Sequence, residues 1–168
     1  MSFIGIISDY KCFEKLNQEI NNRFKNSIKL IHINKNSIGN IKNIKFEAII
    51  IEEDLKKFQK EILIIEKICN KANYIIINTD INTDINSKVK DKTITYGCNH
   101  NAMITISSVT DTDILICLQK EIKNKKGKLM EIGEKHVKIK ENSRLKIEDF
   151  LIIESIFLIK NYSIIEEI

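Results

Sequence analysis

Apolar runs and amphipathic stretches alternate along the first half of the chain. The runs are short and rich in isoleucine, which is typical of buried strands, whereas the stretches between them repeat apolar residues every three or four positions, as helices do. Continuous apolar strands separated by amphipathic helices indicate a parallel sheet that is covered on both faces. The predicted strands are residues 3–7, 28–33, 46–51, 74–77 and 93–96, the predicted helices are 12–24 and 55–72, and residues 34–43 are predicted to form a loop.

The pattern changes in the second half, where short segments alternate apolar and polar residues between polar turns. Such a pattern predicts an antiparallel sheet. A final apolar stretch with helical spacing predicts a helix over residues 147–161. The predicted strands of this half are residues 102–109, 114–120, 128–132 and 136–140.

Together these elements predict an α/β fold: a Rossmann-like, mostly parallel sheet flanked by helices, then a small antiparallel sheet and a C-terminal helix. A length of 168 residues suits one domain with a sizeable core, and no linker separates the two halves. We therefore expect a single domain over residues 1–168. Its parts are the parallel α/β part (1–97), the small antiparallel sheet (98–141) and the C-terminal helix and tail (142–168).

Composition narrows the class of protein. Hydrophobic residues make up 43% of the chain and charged residues 30%, as expected for a soluble globular protein. No apolar run approaches the ~18 residues of a membrane span, and no segment resembles a secretory signal. The four cysteines form no CxxC pair, so a cytoplasmic protein with reduced thiols is expected.

The net charge of +4 is small and spread along the chain, with its densest basic run at residues 123–128. This run lies between two predicted strands and is interpreted as a solvated hairpin tip. Nucleic acid is not an expected partner, because no aromatic residue lies within the run to stack on bases.

Polar and charged residues follow the predicted strands of the first half. Ligands of parallel sheets bind beyond the carboxyl ends of the strands, so this edge is the candidate ligand site. Carboxylates there could hold Mg²⁺, but those of residues 52–54 also precede a predicted helix, and capping that helix is the favoured interpretation. The candidate residues are Asp9, Lys11, Glu52, Glu53, Asn78, Asp80 and Gly97.

No catalytic residue and no metal site is predicted. The segment around Gly5 follows the order strand then helix, as a phosphate loop does, but it lacks the second glycine that lets the backbone wrap a phosphate. The three histidines, His32, His100 and His136, have no metal-ligand spacing.

The stretch from residue 72 to residue 109 carries a resemblance to a known family. A strand ending in Asn78 and Asp80 is followed by a Thr-Tyr-Gly strand that ends at Gly97, and then by a strand that begins Ala-Met-Ile-Thr at Ala102. This order resembles the central domain of Mur-type ligases, the ATP-dependent amide-bond ligases of bacterial cell-wall synthesis. The resemblance implies that a small antiparallel sheet and a final helix follow.

Parts of the ligase machinery have no counterpart here. The family needs a phosphate loop, an Asp-His pair and an Asn at the start of its final helix, and residues 143–147 (Ser-Arg-Leu-Lys-Ile) offer no Asn. The resemblance therefore implies the fold rather than the activity. The expected function is that of a non-catalytic Mur ligase-like domain, a pseudoenzyme without a cofactor, which binds a protein partner or a small ligand in cell-envelope processes.

Two alternatives stay open. A divergent nucleotide-dependent enzyme of the ligase type would use ATP and Mg²⁺ at the candidate edge. A receiver-like signalling module would use Asp9 and Asp54 after the first and third strands, with Thr79 after the fourth, although the acidic pair and the lysine of such modules have no match.

Overall fold

The computed structural model describes residues 1–82, 87–141 and 143–160. The chain divides into two compact units, Met1–Ile94 and Thr95–Ile168, which are described separately. The single domain expected over residues 1–168 stays a prediction.

The first unit is built around a parallel sheet. In chain order its elements are β1 (Ser2–Ile7), α1 (Tyr10–Phe24), β2 (Ile28–Ile33), α2 (Ile38–Ile41), β3 (Ala48–Ile51), a 3₁₀ helix (Leu55–Phe58), α3 (Ile62–Lys71), β4 (Tyr74–Asn78) and a second 3₁₀ helix (Ser87–Lys92). The strands lie in the order β4–β3–β1–β2, and each neighbouring pair in this row is parallel. The carboxyl ends of the four strands therefore meet at one edge.

The strands of this sheet are buried because their side chains are apolar on both faces. Ile4 and Ile6 in β1 are 0% exposed, as are Ile49 and Ile50 in β3. Adjacent residues of a strand point to opposite faces, so the sheet needs cover on both. Buried side chains of α2, the first 3₁₀ helix and α3 join the strands in one core cluster.

Two local predictions are wrong. Residues 55–72 form two helices rather than one, because the 3₁₀ helix ends at Phe58 and α3 begins only at Ile62. At the start of the 3₁₀ helix, the backbone N–H of Leu55 donates a hydrogen bond to the side chain of Asn82. Residues 34–43 are not a loop throughout, because the buried side chains of Ile38 and Ile41 anchor the short helix α2.

Lys92 caps the C-terminal end of α3. Its Nζ donates to the carbonyl oxygen of Cys69 at 2.9 Å and to those of Asn70 and Ala72 at 2.8 Å. The last carbonyl groups of a helix lack hydrogen-bond donors within the helix and carry partial negative charge. An ammonium group supplies both the missing donors and a compensating positive charge. A side chain from a later element thus holds α3 in place.

Replacing Lys92 with methionine, which keeps most of the apolar stem, is expected to lower the free energy of unfolding by about 2 kcal/mol, because hydrogen bonds from a charged donor are lost. Chemical denaturation followed by circular dichroism measures the change. The matched control is Lys90→Met, since Lys90 is exposed in the same 3₁₀ helix and its loss should cost less than about 0.5 kcal/mol. Equal effects of the two substitutions would rule out the capping role.

The second unit begins within a strand and ends in a long helix. Its elements are β5 (Thr93–Tyr96, which crosses the boundary), β6 (Ile104–Val109), β7 (Asp113–Leu118), β8 (Ile122–Lys123), β9 (Leu129–Met130), β10 (Gly133–Lys138) and α4 (Ile147–Lys160). Strand β6 is parallel to β5 and antiparallel to β7, and β7 is antiparallel to β10. The short strands β8 and β9 form a separate two-stranded antiparallel sheet.

The predicted fold class is confirmed: α/β, with a mostly parallel sheet flanked by helices, a small antiparallel sheet and a C-terminal helix. The interpretation of the basic run as a hairpin tip is also confirmed, because Lys123 ends β8 and residues 124–128 connect it to β9. The predicted final helix is observed as far as Lys160, and its last predicted residue, 161, lies outside the described residues.

Helix α4 is buried around its whole circumference, from Asp149 to Ile159. At its N-terminus, the Oδ2 of Asp149 accepts a hydrogen bond from the backbone N–H of Lys146 at 2.7 Å. In its middle, the carboxylate of Glu154 accepts from the Nζ of Lys135 through both oxygens, at 3.0 and 2.9 Å. Among the described residues, no helix combines the length and the apolar character that crossing a membrane requires.

Candidate functional site

The carboxyl edge of the parallel sheet in the first unit brings together residues from three strands. Asn78, at the end of β4, is 2% exposed and donates from Nδ2 to Oε2 of Glu52 at 3.1 Å. Glu52 follows β3, and its backbone N–H donates to the carbonyl oxygen of Ile7 in β1 at 2.9 Å. The Oδ1 of Asn78 accepts from the backbone N–H of the exposed Asp80 at 2.9 Å. Both the nitrogen and the oxygen of the Asn78 side-chain amide therefore have a hydrogen-bond partner.

Asn82 is also a part of this edge, although no pattern in the sequence marks it. Its side chain donates to the carbonyl oxygen of Glu53 at 3.1 Å and accepts from the backbone N–H of Leu55 at 3.0 Å. Its backbone N–H donates to the carbonyl oxygen of Asn78 at 3.0 Å. This residue is 7% exposed, so it ties the loop after β4 to the loop after β3 from a buried position.

The capping interpretation of the acidic trio is confirmed for Asp54. Its Oδ1 accepts from the backbone N–H of Lys56 at 2.9 Å at the start of the first 3₁₀ helix. Glu53 instead forms an ion pair with Lys57, at 3.0 Å. The hydrogen bond and the charge of Glu53 raise the pKa of Lys57, and the charges of Asp54 and Asp9 add to the effect. Lys57 was not a predicted site residue, although its spacing of four from Glu53 is a visible signal.

Asp9 acts as the N-cap of α1. Its Oδ1 accepts from the backbone N–H of Cys12 at 2.9 Å. A carboxylate therefore already occupies the helix terminus at which a phosphate would bind in a nucleotide site. Lys11, in the first turn of the same helix, is exposed.

Gly5 has a packing role rather than a phosphate-binding one. A Cβ atom placed on Gly5 would lie 2.6 Å from Cδ1 of Ile33 and 2.7 Å from Cδ1 of Ile49. The residue is buried in the middle of β1, before the strand reaches the carboxyl edge. This position therefore requires glycine because neighbouring core side chains fill the space next to it.

An aromatic cluster, also missed in the sequence, lies beside the start of α1. The ring of His32 stacks on Phe13 with centroids 4.9 Å apart and meets the edge of Tyr10 at 5.8 Å. The Nε2 of His32 lies 2.9 Å from the carbonyl oxygen of Ser8. These contacts support the expectation that His32 is structural.

Gly97, the remaining candidate, belongs to the second unit. It follows β5, and its backbone N–H donates to the carbonyl oxygen of Ile104 at 3.2 Å. Its φ of 156° is one that residues with a side chain rarely adopt. Within its own unit, Gly97 continues the pairing of β5 with β6.

The first unit also contains an apolar cavity of about 130 Å³ between α3 and strands β3 and β4. Cys69 lines it, and burial raises the pKa of this thiol to about 12. Lys92 lowers that pKa and Glu66 raises it, both to a smaller extent than burial. A thiol with so high a pKa stays protonated at neutral pH, so Cys69 is a core residue rather than a nucleophile.

In the described ranges, no group of three or more His, Cys, Asp and Glu side chains is arranged to hold a metal ion.

The sequence matches no protein-family model, and no curated protein is significantly similar to it.

Proposed function

We propose that this chain is a non-catalytic, Mur ligase-like domain that acts by binding a protein partner or a small ligand in bacterial cell-envelope processes. The observation that carries the proposal is the bonding at the carboxyl edge of the parallel sheet. Three of its carboxylates, those of Asp9, Glu52 and Glu53, are engaged by other parts of the chain. Each of these three carboxylates already has a hydrogen-bond or ion-pair partner within the chain, which favours a role in holding this edge together over a role in catalysis.

The order of the elements supports the ligase-like part of the proposal. Strand β4 ends in Asn78, β5 ends in Tyr96, and the antiparallel strands, the hairpin and α4 follow in the sequence that the resemblance implies. The fold can be retained while the chemistry is lost, because function depends on the site rather than on the fold.

The residues of the first strand and helix do not fit a nucleotide. The side chain of Asp9 occupies the N-terminus of α1, and its negative charge would repel a phosphate. The space beside Gly5 is filled by Ile33 and Ile49, so the glycine leaves no room for a phosphate. We therefore expect neither tight binding nor turnover of ATP.

Isothermal titration with ATP and Mg²⁺ tests this expectation. We expect no saturable heat up to millimolar nucleotide, and no phosphate release in a coupled hydrolysis assay. Sub-millimolar affinity would overturn the proposal. The divergent enzyme would be favoured if the chain hydrolysed ATP and the Glu53→Ala variant lost this activity while keeping its melting temperature. The receiver-like module would be favoured if acetyl phosphate labelled Asp54.

A further inference from the structure

The β8–β9 hairpin of the second unit presents a basic and partly apolar surface. We call this surface the basic tip and define it as residues 123–132. It contains four exposed lysines and two exposed aliphatic side chains, Leu129 at 51% and Ile132 at 62%. One acidic residue of the tip, Glu131, is also exposed. The lysines are Lys123, Lys125, Lys126 and Lys128.

The two strands of the hairpin have an inner and an outer face. Ile122 is 3% exposed and is paired with Met130, so this pair lies on the inner face. The next pair along the ladder joins Lys123 to Leu129, and both are exposed. Directly opposed residues in a ladder point to the same face, so a positive charge and an aliphatic side chain lie side by side on the outer face.

The connection between the strands is held in a fixed shape by Asn124. This residue is 2% exposed, and its Oδ1 accepts from the backbone N–H of Lys126 at 2.9 Å and of Lys128 at 3.0 Å. Gly127 takes a φ of 79°, which favours glycine. The backbone N–H of Lys125 donates to the carbonyl oxygen of Ile159 at 3.0 Å, which ties the tip to the end of α4. The lysine backbones are thus positioned before any partner binds.

We propose that the basic tip docks on the surface of an anionic lipid bilayer. Lysines beside apolar side chains match such a surface, because the ammonium groups meet the lipid headgroups while aliphatic groups enter the boundary of the acyl chains. A nucleic acid would match the lysines but would leave Leu129 and Ile132 without a contact, and residues 123–132 contain no aromatic ring to stack on bases. The inference is independent of the proposed function.

Vesicle sedimentation with the full chain tests the proposal. We expect the chain to bind vesicles of phosphatidylcholine mixed with phosphatidylserine and not vesicles of phosphatidylcholine alone, and to be released as salt screens the charges. Lys125→Ala combined with Lys126→Ala should weaken binding about 25-fold, from a contribution of about fivefold for each lysine near the surface.

Two further variants make the test specific. Lys60→Ala combined with Lys67→Ala removes the same charge from exposed positions of the first unit and should leave binding within about twofold. Leu129→Ser combined with Ile132→Ser should weaken binding to vesicles while leaving the charge unchanged. All substituted residues are exposed, and thermal melting checks that the fold is retained.

The proposal is overturned by any of three results. The first is an absence of binding to anionic vesicles at low salt. The second is an equal loss in the variants of the two units, which would indicate an effect of net charge alone. The third is binding to duplex DNA or single-stranded RNA that is tighter than binding to the vesicles and insensitive to the serine substitutions, which would assign the tip to nucleic acid.

Discussion

Replacing Gly5 with valine is expected to lower the free energy of unfolding by about 3 kcal/mol. The new Cβ would lie 2.6 Å from Ile33 Cδ1, 2.7 Å from Ile49 Cδ1 and 3.2 Å from Phe46 Cε1. These neighbours are at most 1% exposed, so they cannot swing into solvent to make room. Valine is a strong strand former, so the loss would be a measure of overpacking rather than of strand propensity.

Gly133→Val is the matched control, because Gly133 also lies in a strand and no atom is within 4 Å of the corresponding Cβ position. Its substitution is expected to change stability by less than about 0.5 kcal/mol. Urea denaturation of both variants measures the difference in their free energies of unfolding, and the dependence of that free energy on urea concentration is compared between them. A loss below about 1 kcal/mol for Gly5→Val would show that the core around β1 yields easily.

Replacing Lys135 with methionine is expected to cost about 2–3 kcal/mol, because the carboxylate of Glu154 would lose its ion-pair partner. The side chain of Glu154 is 9% exposed, whereas that of Lys135 is 36% exposed, so the acidic partner is the more deeply buried of the two. The ammonium also lies 5.7 Å from the centroid of the Phe157 ring, and this contact is lost as well. Methionine preserves most of the packing of the lysine stem.

A double-mutant cycle separates the contribution of the ion pair to stability from that of side-chain packing. Adding Glu154→Leu to Lys135→Met should recover about 1–2 kcal/mol, because no buried charge then remains at the site. Lys138→Met is the control on the same strand, since Lys138 is exposed. If the double variant were less stable than the sum of the single changes predicts, the pair would not be the source of the effect. Denaturation of the four proteins of the cycle (the unsubstituted chain, Lys135→Met, Glu154→Leu and the double variant) and of the Lys138→Met control, at one pH and ionic strength, measures these differences.

The elements that the sequence predicted well are those whose signal is local. Strand β2 and strand β5 were predicted with their observed bounds, because each is a short segment dominated by apolar and β-branched residues and lies beside polar residues, although β2 also contains Lys29 and His32. The helix over residues 12–24 also agrees with α1 apart from two added residues at its start. The local pattern was therefore sufficient to place these three elements.

The features that the sequence did not reveal depend on residues far apart in the chain. The break between the first 3₁₀ helix and α3 accompanies a bond between Leu55 and Asn82, which are 27 positions apart. The cap on α3 comes from Lys92, 23 positions after Cys69. Asparagine and lysine are so common in this chain that neither position stands out in the sequence.

The candidate edge was predicted by a general rule rather than by a motif. Parallel strands place their carboxyl ends together, and the structure does bring Glu52 and Asn78 into contact. What the rule cannot supply is the direction of each side chain. Asp9 could have faced a ligand or its own helix, and only the geometry shows that it caps α1.

The strand order of the first unit has a consequence for synthesis on the ribosome. Strand β1 pairs with β2 on one edge and with β3 on the other, so its second edge has no partner until residue 51 has left the exit tunnel. A nascent chain that has emerged only as far as residue 33 would therefore carry an apolar β1–β2 pair with an open edge. Such edges promote aggregation, so this interval is when the growing chain would depend most on a chaperone.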